Sequence, residues 1–362
     1  MIDEFFAIAL YFKQQTMNYD IFDEQYYLSQ YPWLKPAIDA GIIQSGREHF
    51  EKFGQAAGLT KISRYFDEDT YLEGNPDLKP FVRTVNPNAP FATGLDHFIQ
   101  YGYEEGRTRV SPDYDEAFYL KRYPILAQFV ENGTFKSGFQ HFVNFGVKEG
   151  LYANTFSEQT YLVNNSDVAA AVRAGFFQTG GEHYREFGQF EPERTAAFMG
   201  TSGNDIVTGF GVGNVQLFGV QLDLSNNITW PYGGGGSDEF DTLIGGSGRD
   251  RFMLAGTVRG IGGSRPTPET FPFYIGPGFA TIRNFTQGQD SIQLPKISLE
   301  QLLIFPINNN QDLAIQTNGF PIFANGISTT SRFDTIAVIE GGGKLSLNIL
   351  PQDGFLSSSS LG

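Results

Sequence analysis

The chain has 362 residues, 40 acidic against 25 basic side chains, four histidines and no cysteine. A formal charge of −15 argues against nucleic acid and anionic membranes as partners, and the missing cysteine excludes disulfides, thiolate metal sites and thiol nucleophiles. With 40% hydrophobic and 18% charged residues and 35 phenylalanines, the composition is globular, and the length accommodates two domains.

No stretch approaches ~18 consecutive apolar residues, so no membrane span is expected. The opening MIDEFFAIAL carries Asp3 and Glu4 where a secretory signal places positive charge, so a cleaved N-terminal signal is not expected either. From there to about Ala196 a unit recurs four times, beginning Phe22-Asp23-Glu24, Phe66-Asp67-Glu68, Tyr114-Asp115-Glu116 and Phe156-Ser157-Glu158, at intervals of 44, 48 and 42 residues. Tyr27, Tyr71, Tyr119 or Tyr161 follows, each before a leucine, and then a helix-ending signal at Pro32, Pro76 and Pro124, replaced by Ser166 in the fourth copy. Apolar spacing such as Val168, Ala171 and Val172 suits a second short helix.

The second half of each unit is the most regular: His49-Phe50-x-x-Phe53-Gly54, His97-Phe98-x-x-Tyr101-Gly102, His141-Phe142-x-x-Phe145-Gly146 and His183-Tyr184-x-x-Phe187-Gly188. Aromatics three apart share a helical face, and the glycine that follows suits a left-handed C-cap. Upstream, Ser45, Thr93, Ser137 and Thr179 offer N-cap hydroxyls. The four units, at about 20–62, 63–110, 111–151 and 152–195, therefore read as an all-α tandem array with aromatic faces packed between neighbours. All four histidines fall at one repeat position, a whole unit apart, which favours a structural imidazole bonded to a neighbouring backbone group over a metal site; a pH-sensitive contact is the alternative. The Asp-Glu pairs read as charges complementing helix N-termini, with calcium binding there the lesser alternative.

Beyond residue 196 the composition turns to Gly, Ser and Asn. Residues 245–253, Gly-Gly-Ser-Gly-Arg-Asp-Arg-Phe-Met, fit the nonapeptide G-G-x-G-x-D-x-U-x at every specified position. Residues 236–244 keep Asp241 and Leu243 in the same phase but lose two glycines, and a third copy at 200–208 keeps Gly200, Gly203, Asp205 and Val207. Glycines free to take positive φ aim loop carbonyls inward, the aspartate supplies a carboxylate, and hard oxygen donors in a flexible loop suit Ca²⁺. The x-U-x that follows makes a short strand with its apolar residue facing the core.

At these residues the chain resembles the hemolysin-type calcium-binding repeat (RTX) family, over roughly residues 197–345. The resemblance implies a parallel β-roll in which two nonapeptides make one turn and each ion lies between loops 18 residues apart. It assigns Asp205, Asp241 and Asp250 as calcium ligands, with Gly200, Gly203, Gly236, Gly245, Gly246 and Gly248 shaping the loops. Asp223 falls 18 from both Asp205 and Asp241 without flanking glycines; Asp250's same-edge positions would be Tyr232 and Pro268. One or two ions are therefore expected. The segment Ile282-x-x-Phe285…Gly288-x-Asp290-x-Ile292-x-Leu294 looks like the strand pair that follows the roll in this family. Alternating runs near Leu313 and Thr335, separated by Asn318-Gly319 and Asn325-Gly326, predict an antiparallel β end. The helical units likewise look like tandem repeats that accompany such regions in cyanobacterial and other bacterial proteins. Export by a type I system reading an uncleaved C-terminal signal is a further implication, with which the Ser-rich end after Pro351 is compatible.

No H-E-x-x-H, G-x-S-x-G or P-loop pattern is present, so no enzyme is expected. The reading is an α+β multidomain chain, with an all-α repeat array at 1–196 and an all-β domain at 197–362 that combines a short parallel β-roll with antiparallel strands. It is expected to be a non-enzymatic, secreted or surface-associated protein that binds calcium and uses its helical repeats for protein interaction or self-assembly. The alternatives are an intracellular scaffolding or linker subunit whose roll has lost its ions and, more remotely, a secreted hydrolase.

Overall fold

The computed structural model describes residues 17–177, 179–223, 230–231, 236–258, 269–318, 321–324, 327–330, 333–352 and 355–360. Two compact units divide the chain, Met1–Asn154 and Thr155–Gly362. The α+β layout is as expected, with the α-helices before residue 195 and, among the described residues, the strands from there on.

Each repeat opens with a seven-residue helix, Glu24–Gln30, Glu68–Gly74, Glu116–Arg122 or Glu158–Asn164, whose N-cap side chain is Asp23, Asp67, Asp115 or Ser157. Prolines start the next turn at Pro32, Pro76 and Pro124, with Ser166 in that place in the fourth repeat, where Ser166–Arg173 is the expected second helix. The histidine helices begin at Gly46, Gly94, Gly138 and Gly180, each capped by the expected hydroxyl of Ser45, Thr93, Ser137 or Thr179.

Two expectations are corrected in these helices. Gly54, Gly102, Gly146 and Gly188 do not end them as left-handed caps: the chain continues through a π-turn, Phe50–Gly54, Phe98–Gly102 or Phe142–Gly146, or in the fourth repeat through the 3-10 turn Gly188–Phe190. Glycine is needed there because a Cβ would lie 2.5, 2.3 or 2.5 Å from the hydroxyl of Tyr27, Tyr71 or Tyr119, as it would lie 2.2 Å from that of Tyr161 at Gly188. The Asp-Glu pairs also divide their labour. The aspartate caps its own helix, while Glu24, Glu68, Glu116 and Glu158 each reach two N–H groups opening the histidine helix of the same repeat, such as Gly138 at 2.8 Å and Phe139 at 3.1 Å.

Within the first unit, each N-cap amide reaches the segment just ahead of the next repeat's Phe/Tyr-Asp/Ser-Glu opening. The Asp23 N–H donates to the Ile62 carbonyl, Asp67 to Val110 and Asp115 to Ala153, at 2.8, 2.8 and 2.9 Å. Odd repeats add a tyrosine hydroxyl accepting a later N–H, Tyr31 from Lys61 and Tyr123 from Tyr152. Even repeats use arginine instead, Arg107 on Asn75 and Asp77 and Arg194 on Asp167. The core between repeats is aromatic, with Phe98 edge-on to Phe139 and Tyr65 edge-on to Phe142.

The second unit holds the fourth repeat and two six-stranded sheets that begin with parallel strands. One sheet is seeded by β1 (Thr195–Met199) and the other by β2 (Ile206–Thr208). The chain then alternates, β3 (Asn214–Phe218) joining the first sheet, and after the short pair β4 (Leu222–Asp223) and β5 (Trp230–Pro231), β6 (Glu239–Ile244) joining the second. The next coil is β7 (Arg249–Met253), the hairpin β8 (Ala255–Val258) and β9 (Glu269–Pro272), then β10 (Gly278–Arg283); β11 (Ser291–Leu294) follows on β7. The close of the chain is antiparallel apart from one strand. β12 (Leu302–Ile307) pairs with β13 (Asp312–Thr317), β14 (Pro321–Ala324) with β15 (Ile327–Thr330), and β17 (Leu347–Gln352) with β18 (Phe355–Ser360). β16 (Asp334–Ile339) is parallel to β10 and antiparallel to β13. Thus 282–294, expected as a strand pair following the roll, is its next parallel coil. Of the Asn-Gly turn signals, Gly319, Asn325 and Gly326 lie outside the described residues.

The apolar position of the nonapeptide builds the core. Registered neighbours Val207, Leu243, Ile282 and Ile339 form one inward row, and Phe198, Leu217, Phe252 and Ile292 the other; all eight are buried. The expected change from helix to strand near residue 196 is observed, but the compact unit starts earlier, at Thr155. The fourth repeat joins the sheets because its N-cap amide, Ser157 N–H, donates to Ala197 of β1, and Phe156 packs edge-on against Phe198 at 5.7 Å.

Candidate functional site

The nonapeptide aspartates stand two residues before the apolar rows, and strand alternation turns them inward with those rows. Asp205 immediately precedes β2 and meets Asp241 of β6, because Ile206 registers with Thr242. Asp250 of β7 meets Asp290 immediately before β11, because Arg251 registers with Ser291. The two pairs are built alike: the Asp205 N–H donates to Asp241 Oδ1 at 2.8 Å and the Asp250 N–H to Asp290 Oδ1 at 3.0 Å.

Loop closure is also shared. Thr201 donates its N–H and hydroxyl to Asp205 Oδ2, both at 2.8 Å, and the Thr286 N–H donates to Asp290 Oδ2 at 2.7 Å. Asp241 Oδ2 accepts the hydroxyl of fully buried Tyr274 at 2.6 Å. In this set Asp250 is the exception. It is 1% exposed, and neither carboxylate oxygen has a hydrogen-bond partner. The Gly246 N–H, equivalent to those of Thr201 and Thr286, only comes near enough to favour the anion. Burial first, and then the neighbouring Asp290 charge, push the Asp250 carboxyl up to about 7; burial also raises Asp290.

The glycines serve two needs. Gly203 and Gly236 take positive φ, 134° and 85°, as expected. Gly245, Gly246 and Gly248 are required for close approach instead: Cβ atoms there would lie 2.7 Å from Asp250 Oδ2, 3.2 Å from the Gly209 carbonyl oxygen and 2.3 Å from that of Gly213. Gly200 likewise lies against the Gly219 carbonyl.

The 18-residue spacing does not hold. Residues 219–235 and 254–277 are inserted between strands, so the inward rows step 198, 217, 252, 292 and 207, 243, 282, 339. Asp250's partner is therefore Asp290 rather than position 232 or 268; Tyr232 and Pro268 lie outside the described residues. Asp223 enters β4, where its backbone pairs with Trp230 and not with Asp205 or Asp241. Asp290 was legible as Gly288-x-Asp290-x-Ile292, a degenerate copy in the same phase, whereas no local pattern announced Tyr274. Among the described residues no group of three or more His, Cys, Asp or Glu side chains converges.

The histidines do not converge either. Each Nδ1 meets the tyrosine hydroxyl of its own repeat, not the backbone group expected. Compared with protein-family models, with curated proteins and with solved structures, the chain matches none.

Proposed function

We propose that this chain is a non-enzymatic calcium-binding protein that acts outside the cell or on its surface, with its helical repeats serving protein interaction or assembly. The observation that carries the reading is Asp250, a buried carboxylate without a hydrogen-bond donor, set beside a second carboxylate, Asp290. A buried unpaired anion is costly, and a cation or a proton offsets that cost. Two carboxylates bring up to four oxygens, and loop carbonyls and water complete the six to eight that Ca²⁺ accepts; Mg²⁺ asks for a stricter octahedron. In this reading Asp250 and Asp290 hold the ion. Asp205 and Asp241, whose oxygens accept protein N–H and O–H groups, tie coils together. Phe53, Phe145 and Phe187 share one repeat position and are 57, 48 and 49% exposed, which supports an interaction role for the repeats.

A second reading is an intracellular scaffolding or linker subunit with a roll that has lost its ions. The hydrogen-bonded carboxylates of Asp205, Asp241 and Asp290 favour it.

Thermal unfolding in calcium, in magnesium and in chelator separates the two. The calcium reading requires a calcium-specific rise in the β-unit transition that is lost in Asp250→Asn and Asp290→Asn. Identical melts in all three conditions would sink it and leave the scaffolding reading, which cell fractionation then tests.

A further inference from the structure

The four histidines of the chain make one bond four times. Tyr27 and His49, Tyr71 and His97, Tyr119 and His141, and Tyr161 and His183 place the phenol oxygen 2.8, 2.9, 2.9 and 2.9 Å from Nδ1. All four tyrosines are fully buried. Each imidazole also has an aromatic ring edge-on to it, Trp33, Phe91, Phe135 or Phe177, at 4.8 to 5.4 Å. The glycine five residues past each histidine leaves no room for a Cβ beside the phenol oxygen.

We propose that these four Tyr–His bonds are an acid-sensitive lock on the helical repeats, released in concert when the imidazoles take up protons. With its hydrogen on Nε2, a neutral imidazole accepts the phenol hydrogen at Nδ1, and a protonated one carries a hydrogen there instead. Burial raises the ionisation of all four tyrosines, so each phenol keeps its hydrogen throughout. Two hydrogens then face each other, and the bond survives only by turning a fully buried hydroxyl.

The surrounding charges do not overturn this. No charged group offsets burial at His49. Glu105 and Asp77 favour protonation of His97 while Arg107 opposes it; Glu149 favours it at His141; Glu191 and Asp167 favour it at His183 while Arg194 opposes it. Burial is the largest influence at each site and holds all four histidines below the ordinary 6.5. Because the folded state binds the proton less readily than the unfolded one, the stabilisation is complete above pH 6.5 and is lost as pH falls from there toward the folded values. Each histidine removes up to about tenfold from the folding constant of its own unit per pH unit inside that window, three in the first unit and one in the second. The proposal does not depend on the calcium reading.

The test is a pH titration of the four histidine ring signals by NMR on the full chain, in chelator throughout, with the helical transition followed by circular dichroism from pH 7.5 to 5. The lock predicts four midpoints below 6.5, a helical transition that falls with pH, and a His97 midpoint that moves up toward 6.5 in Tyr71→Phe while the other three stay. Midpoints at or above 6.5 in the folded chain, or a His97 midpoint indifferent to Tyr71→Phe, would reduce the bonds to packing contacts. If Tyr71→Phe does not fold, the wild-type midpoints and the pH dependence of the helical transition decide.

Discussion

The N–H of Ser157 donates to the carbonyl of Ala197 at 2.8 Å, the bond by which Asp23, Asp67 and Asp115 each reach the segment just ahead of the next opening. Here the acceptor is a β-strand. β1 thus stands where the segment that leads into the next repeat lies elsewhere in the array, and the same N-cap bond here ends on a sheet. Phe156 and Phe198 complete the join from opposite sides of the change in architecture, with Tyr184 beside both.

The fourth repeat is therefore expected to unfold with the sheets. Phe198→Ala removes a buried ring that meets Phe156, Tyr184 and Phe210, and should cost about 3–5 kcal/mol. Urea denaturation followed separately by helical circular dichroism and by strand amide exchange should show residues 158–186 and β1 to β7 shifting together. A shift confined to the strands would mean that the fourth repeat is stabilised independently.

Gly102 and Gly133 separate crowding from backbone conformation. A methyl at Gly102 lies 2.3 Å from the Tyr71 hydroxyl, so Gly102→Ala forces the Tyr71–His97 pair apart and should cost about 2–4 kcal/mol by overpacking and a lost buried bond. At Gly133 the space is open but φ is +80°, so Gly133→Ala should cost only about 1 kcal/mol. Equal urea midpoints for the two variants would count against the tight tyrosine–glycine contact.

Glu116 closes the Gly138 and Phe139 N–H groups with one carboxylate. Glu116→Ala should cost about 1–3 kcal/mol, since two helix-opening donors lose a charged acceptor. Glu116→Gln, which keeps a single acceptor oxygen, should recover part of the loss. Chemical denaturation of both variants checks the order; a Gln variant no better than Ala would show that charge alone matters.

The β unit should respond to pH with the sign opposite to the histidine lock. Asp250 sits at about 7 in the folded chain against an ordinary 3.8, raised by burial and then by Asp290. A carboxyl raised in the folded state contributes stability that is present below pH 3.8 and lost as pH climbs through about 7. In chelator, the β-unit transition should therefore be lower at pH 8 than at pH 5.5, and Asp250→Asn should flatten that dependence and raise the transition at pH 8. Calcium should restore more at pH 8 than at pH 5.5, because at the lower pH it competes with the proton. A β-unit melt indifferent to pH in both proteins would contradict the buried, unpaired state of Asp250.

The linear chain by itself determined the repeat count, the capping residues and the phase of both apolar rows. Those are local properties: hydroxyls and carboxylates cap the nearest helix, and a residue two positions from an inward aspartate is also inward. Val207, Leu243 and Phe252 could be placed on the core face before any pairing was known. What only the tertiary structure decided was pairing across insertions. Loop length between coils does not alter which strands meet, so Asp250 came to lie beside Asp290 rather than beside a position 18 residues away. Glycine roles divided in the same way. Gly203 and Gly236 answer a local torsional need, whereas Gly102 and Gly248 answer the close approach of a distant phenol or carbonyl, which no local pattern encodes. The histidines followed suit: their spacing announced one role repeated four times, but the partner, a tyrosine more than twenty residues earlier, is set by how two short helices fold onto each other.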